Sequence, residues 1–234
     1  MNKRLTIVSL ILLFMVSVLM NLAIGTAAAK TPQERIDGAV KVIREMSEQE
    51  DAGAMADVLH NAKGVVIFPS VVKAGFILGG KYGEGLILRK DVSNGRWYGP
   101  SFVNIVGASW GLQIGAQAIA LVLVINNERG MEPFTAGDSF KLGGDIGVAA
   151  GPVGRRGEAA TDIKLQSSIY SYSMSKGLFA GLSLEGAGMN VDENANQVYW
   201  GKATTPREAL KKKASRESIL KLTREIERLM AKDK

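Results

Sequence analysis

Glycine interrupts apolar, β-branched sequence again and again from Gly64 to Gly201. That texture works against long helices there, because each glycine inside a helix costs about 1 kcal/mol relative to alanine. Val65-Val66-Ile67-Phe68, stopped by Pro69, reads as a buried strand. Further strand candidates are Gly85–Arg89, Trp97–Tyr98, Phe102–Val106, Leu121–Asn126, Lys141–Ala149, Ile163–Ser173 and Leu178–Leu184. Asn94-Gly95 is a hairpin turn between two of them. No internal repeat of fixed period is present.

Helical signals lie outside this body. Thr31-Pro32-Gln33-Glu34 has the form of a capping box with proline at the first helical position, and Ile36, Val40, Ile43 and Met46 follow at helical spacing to about Ser47. A second short helix is expected near Ala54 to Asn61. Thr205 and Pro206 open a last helix in which Ile219, Leu222, Ile226 and Leu229 form one apolar stripe on a basic background. Asp192-Glu193-Asn194 reads as a turn before Val198-Tyr199-Trp200. The fold class is therefore α+β: N-terminal helices, a Gly-rich and mainly antiparallel β body as a sheet or partly closed barrel, and a C-terminal amphipathic helix.

The chain opens with Lys3-Arg4, an uncharged run from Leu5 to Ile24, and Ala27-Ala28-Ala29, the pattern of a signal peptide cut after Ala29. A run of this length also suits an uncleaved anchor. The division is then a signal segment at 1–29, a helical segment at 30–62, the β-rich body at 63–203 and the basic helix at 204–234. With no cysteine in the chain, a lipoprotein anchor, thiol catalysis and thiolate metal sites are excluded. The net charge of +6 is not spread evenly: residues 207–234 hold ten Lys or Arg against five Asp or Glu, so the body is close to neutral.

Two motifs invite misreading. Gly75-x-x-x-x-Gly80-Lys81 is a phosphate loop up to its last letter, where Tyr82 replaces the hydroxyl residue that would hold magnesium. Gly83 and Gly85 then prevent the helix that such a loop requires, so the stretch reads as a strand, a glycine turn and a returning strand. Phe102–Ile125 carries no charge and has Gly107, Gly111 and Gly115 at the spacing of a packed transmembrane helix. Asn104, Ser109, Gln113 and Gln117, with the alternation of Trp110, Leu112 and Ile114, favour a glycine-kinked strand followed by a second one.

The ordered blocks AKGVVIFPSVVKAGF, GGKYGEG, WYGPSF, GLQIGAQ, LGGDIGVAAGPVGR and YSYSMSKGLFAGLSLEG resemble the SYLF, or Ysc84-type, domain family over about Ala54 to Lys202. The resemblance implies lipid binding. It also implies the phosphoinositide membranes, and in some cases the actin, with which eukaryotic relatives are associated. Bacterial relatives are exported. Ile119-Ala120 stands where the family carries an acidic residue, and Met174 stands where an arginine would contact phosphate.

Candidate chemistry is sparse. The single histidine, His60, sits at a helix end, and no serine elbow accompanies it. Ser171–Ser175 alternates with tyrosine as the solvent side of a strand would. Glu84, Asp145, Asp162 and Glu185 are carboxylates in apolar blocks; they cap turns or pair with arginine unless two of them are buried together for acid–base work. One histidine without cysteine gives no transition-metal set, and Asp192-Glu193-Asn194 lacks the alternation of a calcium loop. No cofactor, no metal and no catalysis are expected.

The Gly/Pro loop at 151–157 presents Arg155 and Arg156, whose forked donors fit a phosphate head group as well as they suit a solvated hairpin tip. Lys73, Lys81 and Lys176 beside other glycine turns join such a basic rim if those turns meet at one end of the sheet. Lys211, Lys212, Lys213, Arg216, Lys221 and Arg224 surround the Ile219, Leu222, Ile226 and Leu229 stripe, a helix suited to an anionic interface. The same stripe suits docking on the β body or pairing with a second copy. The expected function is an exported, periplasmic, non-enzymatic protein of a Gram-negative envelope that binds anionic phospholipid. The alternative is a structural module whose helix binds a protein partner. Nucleic acid is not an expected partner.

Overall fold

The computed structural model describes residues 29–49, 52–151, 167–175, 177–179 and 182–233; at 75–78, 109–116, 179 and 233 it describes the backbone alone. Thr31–Lys234 forms one compact unit. Helix α1 spans Pro32–Ser47, with the expected capping box closed between Thr31 and Glu34, and α2 spans Ala52–His60. Two very long strands follow, β1 at Gly64–Asp91 and β2 at Arg96–Ile125. Then come α3 (Glu128–Ala136), β3 (Phe140–Lys141), β4 (Val148–Ala150), β5 (Ile169–Ser175), β6 (Leu178–Phe179) and β7 (Gly188–Val191). The chain ends with α4 (Glu193–Trp200), α5 (Pro206–Ala209) and α6 (Glu217–Met230). The α+β class is as expected, and the described residues form one mostly antiparallel sheet of seven strands.

Several readings change. Phe68–Pro69 does not end a strand: pairing slips between Phe68 and Val71 and resumes, so proline sits at a bulge. Asp192-Glu193-Asn194 is no turn but the start of α4, with Asp192 accepting from the Ala195 N–H as its cap. The last helix is not continuous from Pro206. α5 stops at Ala209, and Lys211, Lys212 and Lys213 lie in the turn before α6.

The expected reversal within Gly75–Gly85 occurs, but without loss of strand pairing. A straight strand of 28 residues would extend about 90 Å, yet the Lys90 N–H reaches the Lys63 carbonyl at 2.8 Å. β1 therefore doubles back, and β2 follows it around the outside as its antiparallel partner from Gly64↔Ile125 to Asp91↔Arg96. At the bend β1 advances from Gly75 to Ile77 while β2 uses Gly111 to Gly115, the longer outer track. The uncharged run Phe102–Ile125 is thus part of one continuous strand, neither a membrane helix nor the two successive strands expected, and among the described residues no helix is long and apolar enough to cross a membrane. The alternation of Trp110, Leu112 and Ile114 lies where side chains are outside the described residues. Asn94-Gly95 makes the hairpin as read, with Gly95 at φ 69°.

Doubling back brings glycines against backbone. A Cβ at Gly85 would stand 2.4 Å from the Ile67 carbonyl oxygen and 2.6 Å from the Phe68 ring. Gly85→Ala is expected to cost about 1–3 kcal/mol in urea unfolding, as overpacking does, whereas Gly80→Ala, which meets nothing within 4 Å, costs far less.

Each face of the sheet carries a core. Val65, Ile67, Leu86, Leu88, Phe102, Val122, Val124, Tyr170 and Tyr172 pack under α1, α2 and α6; Val66, Phe68, Ile87, Ile105, Leu123 and Ile169 pack under α3 and the 140–146 and 184–189 segments. This alternation corrects the expectation for β5, whose tyrosines are core residues and not a solvent side. The Lys90 ammonium caps α2 by donating to the Leu59 and His60 carbonyls at 3.1 and 3.0 Å.

Candidate functional site

The bend is the end of the sheet farthest from the meeting of Lys63 with Lys90. Around it lie three chain segments: the middle of β1, the middle of β2, and the β5–β6 turn. Lys73 pairs with Gln117 across the ladder, Gln117 donates to Ser175 Oγ at 3.0 Å, and Ser175 pairs with Leu178. Tyr82 stands opposite Val106. At this end Leu178 is 70% exposed, Tyr82 49%, Val106 46% and Val72 44%, four of the seven large apolar side chains exposed among the described residues. Residues 70–83, 105–125 and 169–179 contain no carboxylate, and their only charges are Lys73, Lys81 and Lys176.

A buried ion cluster supports this end. Arg35 on α1 is 1% exposed, and its Nη2 lies 2.7 Å from Asp192 Oδ2 and 3.2 Å from Glu84 Oε1. Asn104 Nδ2 adds a 3.3 Å bond to Asp192, and the Tyr82 hydroxyl donates to Glu84 at 3.2 Å. One cation thereby joins α1, β1 and the cap of α4, while β2 contributes Asn104. Burial pushes the Asp192 carboxyl up, but the Ala195 N–H, the Arg35 guanidinium and the Asn104 amide together hold it below its ordinary value. Burial, then the Glu84 charge, raises the Tyr82 hydroxyl. Glu84 and Asp192 come together, and both face Arg35 rather than open space, an ion-paired arrangement unlike an acid–base dyad. Asp145 caps a turn by accepting the Lys141 N–H at 2.7 Å. His60 is the helix-end residue expected, with Nε2 at 3.0 Å from the Met230 carbonyl.

The basic residues read from the sequence separate into groups. Lys73 is half-buried at the bend. Lys81 is near it but is not a head-group contact. Its ammonium is buried and donates to the Ser183 carbonyl at 2.9 Å, and burial, then the Lys73 charge, lowers its pKa. Arg155, Arg156, Lys176 and Asp162 lie outside the described residues.

On the C-terminal segment, Ile219, Leu222, Ile226 and Leu229 are wholly buried, with α6 packed on α1 and α2, which corrects the reading of their stripe as a membrane-inserted surface. Lys212 stacks on Trp200 at 4.2 Å and Arg216 on Tyr199 at 4.1 Å. Arg224 pairs with Glu217 at 2.5 Å, and among the described residues Lys211, Lys213 and Lys221 are exposed cations outside ion pairs.

Sequence reasoning missed Arg35 and the exposed apolar bend. Arg35 carried a signal: with Ala39, Val42 and Met46 it occupies the apolar stripe of α1, where a charge needs a buried partner. The bend carried none, since exposure at a strand's midpoint depends on where that strand turns.

These sheet segments and the C-terminal helix are also where known proteins align. The Ysc84 family, described as "Las17-binding protein actin regulator", matches residues 106–229, just over half of the chain. The SH3 domain-containing YSC84-like protein 1 of Xenopus laevis is 38% identical over 144 residues, covering 62% of this chain and 42% of that protein. Its Homo sapiens counterpart is 35% identical over 167 residues, 69% of this chain and 48% of the relative. Protein YSC84 of Saccharomyces cerevisiae is 38% identical over 146 residues, 62% and 31% of the two chains. The chain spans less than half the length of these relatives. With the match running through β2, the bend and α6, the chain belongs to the Ysc84, or SYLF, family.

Proposed function

We propose that this protein binds an anionic lipid surface, without catalysis, and that the sheet bend is the face it applies. The supporting observation is the exposure of Val72, Tyr82, Val106 and Leu178 on segments that carry Lys73 and are free of carboxylates. Apolar side chains entering the head-group region contribute about 25 cal/mol per Å² buried, and a lysine beside an anionic surface adds about 1 kcal/mol. Export, read from residues 1–29, belongs to the same proposal and places that surface in the cell envelope.

The test is co-sedimentation of Thr31–Lys234, the compact unit, with phosphatidylglycerol and phosphatidylcholine vesicles at low and moderate salt. Anionic vesicles are expected to retain the protein, with partial loss as salt rises, since screening weakens the lysine term and not the apolar one. Val72→Asp with Leu178→Asp is expected to weaken retention at least about tenfold, the loss of two inserted side chains. Retention unchanged in that variant removes the bend from the reading. No retention by any vesicle overturns lipid binding and favours the protein-partner reading, which the family's description as Las17-binding supports.

A further inference from the structure

The opposite end of the sheet carries a different feature. Where Lys63 meets Lys90 and Ile125, a cleft of about 540 Å³ opens between β1, α3 and α5. Arg89, Arg129, Arg207 and Lys211 line it, over a floor that includes Met131 and Leu210. Among the described residues none of these four cations forms an ion pair. Two carboxylates share the cleft. Glu128 is engaged by Lys63 at 3.7 Å, which leaves Glu132 against four positive charges.

Cations lining one cleft repel each other, and an anion would relieve that repulsion. Three of the four are arginines, whose forked donors match the paired oxygens of a phosphate. The volume exceeds what a bare phosphate fills and falls in the range of small-molecule sites, roughly 300–1,000 Å³.

We propose that this cleft binds an organic phosphate, a phosphate monoester or diester held by Arg89, Arg129, Arg207 and Lys211. The site is separate from the bend and stands or falls independently of the lipid reading. A soluble ester and a lipid head group share this chemistry. The two arms of the experiment, soluble ester and vesicle, distinguish these sources.

The experiment is calorimetric titration of Thr31–Lys234 with glycerol 3-phosphate and with inorganic phosphate at fixed ionic strength, alongside phosphatidylglycerol vesicle binding. The proteins are wild type, Arg129→Gln with Arg207→Gln, Lys211→Gln alone, and the bend variant Val72→Asp with Leu178→Asp. Arg129, Arg207 and Lys211 are exposed, so the folded state tolerates their loss, and circular dichroism checks it. Glycerol 3-phosphate is expected to bind more tightly than inorganic phosphate. The double arginine variant should weaken it at least about tenfold, as removal of two charge-assisted contacts does, with the bend variant unchanged.

Vesicle binding that depends on Arg129 and Arg207, without binding of the soluble ester, assigns the same cleft to a lipid head group. The proposal is overturned if neither soluble phosphate nor vesicle binding changes in the arginine and lysine variants, or if no phosphate binds at all.

Discussion

Arg35→Ala is expected to destabilise the protein by about 3–5 kcal/mol at neutral pH, the range for removing one partner of a buried ion pair. The substitution leaves Glu84 and Asp192 close together and largely buried without the guanidinium that each contacts. The sign of the pH dependence follows from Asp192, whose folded-state pKa lies below its unfolded value. Such a group stabilises the fold above its unfolded pKa, about 4, and that stabilisation is lost as pH falls through the lower folded value. Without Arg35 much of this depression disappears, so the deficit relative to wild type is largest at neutral pH and narrows below about pH 4. Urea unfolding at pH 7 and at pH 3.5 measures both quantities. Adding Glu84→Gln and Asp192→Asn to the variant should recover a substantial part of the loss, because neutral amides need no counter-charge. A deficit under about 1 kcal/mol at pH 7 would mean that water or nearby donors already serve the two carboxylates.

The same cluster ties stability to the proposed membrane face. Tyr82 is half exposed at the bend while its hydroxyl reaches Glu84, so the exposed surface is anchored through one side chain to the buried ions beneath it. A rigid bend presents its apolar side chains without a further ordering cost on binding. Arg35→Ala is therefore expected to affect bend and core together, whereas Val72→Asp with Leu178→Asp changes the surface and leaves the cluster intact.

The sequence made local features legible and left the path of the sheet obscure. The capping box at Thr31, the Thr205 cap, the Asn94-Gly95 hairpin and the apolar stripe of the last helix depend on neighbours a few residues apart, and all were found in place. The glycines between Gly75 and Gly85 marked a reversal, but whether pairing survived it depended on β2, about thirty residues away in sequence. The alternation of Ser and Tyr in β5 looked amphipathic, yet helices cover one face of that strand and the 140–146 segment the other, so polarity could not tell inside from outside. Basic residues misled for a related reason. Lys81, Lys212 and Arg216 look like surface charges in the chain, and the fold gives them a carbonyl and two aromatic rings instead.

Leu222→Ala is expected to cost about 2–5 kcal/mol, the range for a leucine cut back inside a core. Leu222, Ile219, Ile226 and Leu229 are fully buried, and α6 packs chiefly against α1, whose Ile36, Ile43 and Met46 share the same core. Arg44 reaches Glu225 at 2.7 Å across that contact, a partly exposed pair that orients the helices more than it stabilises them. Lys221→Ala, on the outer face of α6, should stay within about 0.5 kcal/mol of wild type. A chain ending at Ala203 would uncover the apolar faces of α1 and α2 that α6 covers, so loss of vesicle binding in such a truncation would report unfolding and not a missing membrane contact. Thermal denaturation of Leu222→Ala, Lys221→Ala and the truncated chain separates these cases. If the truncation melts cooperatively near the wild-type temperature, α6 is not part of the core and its apolar stripe becomes available to another surface.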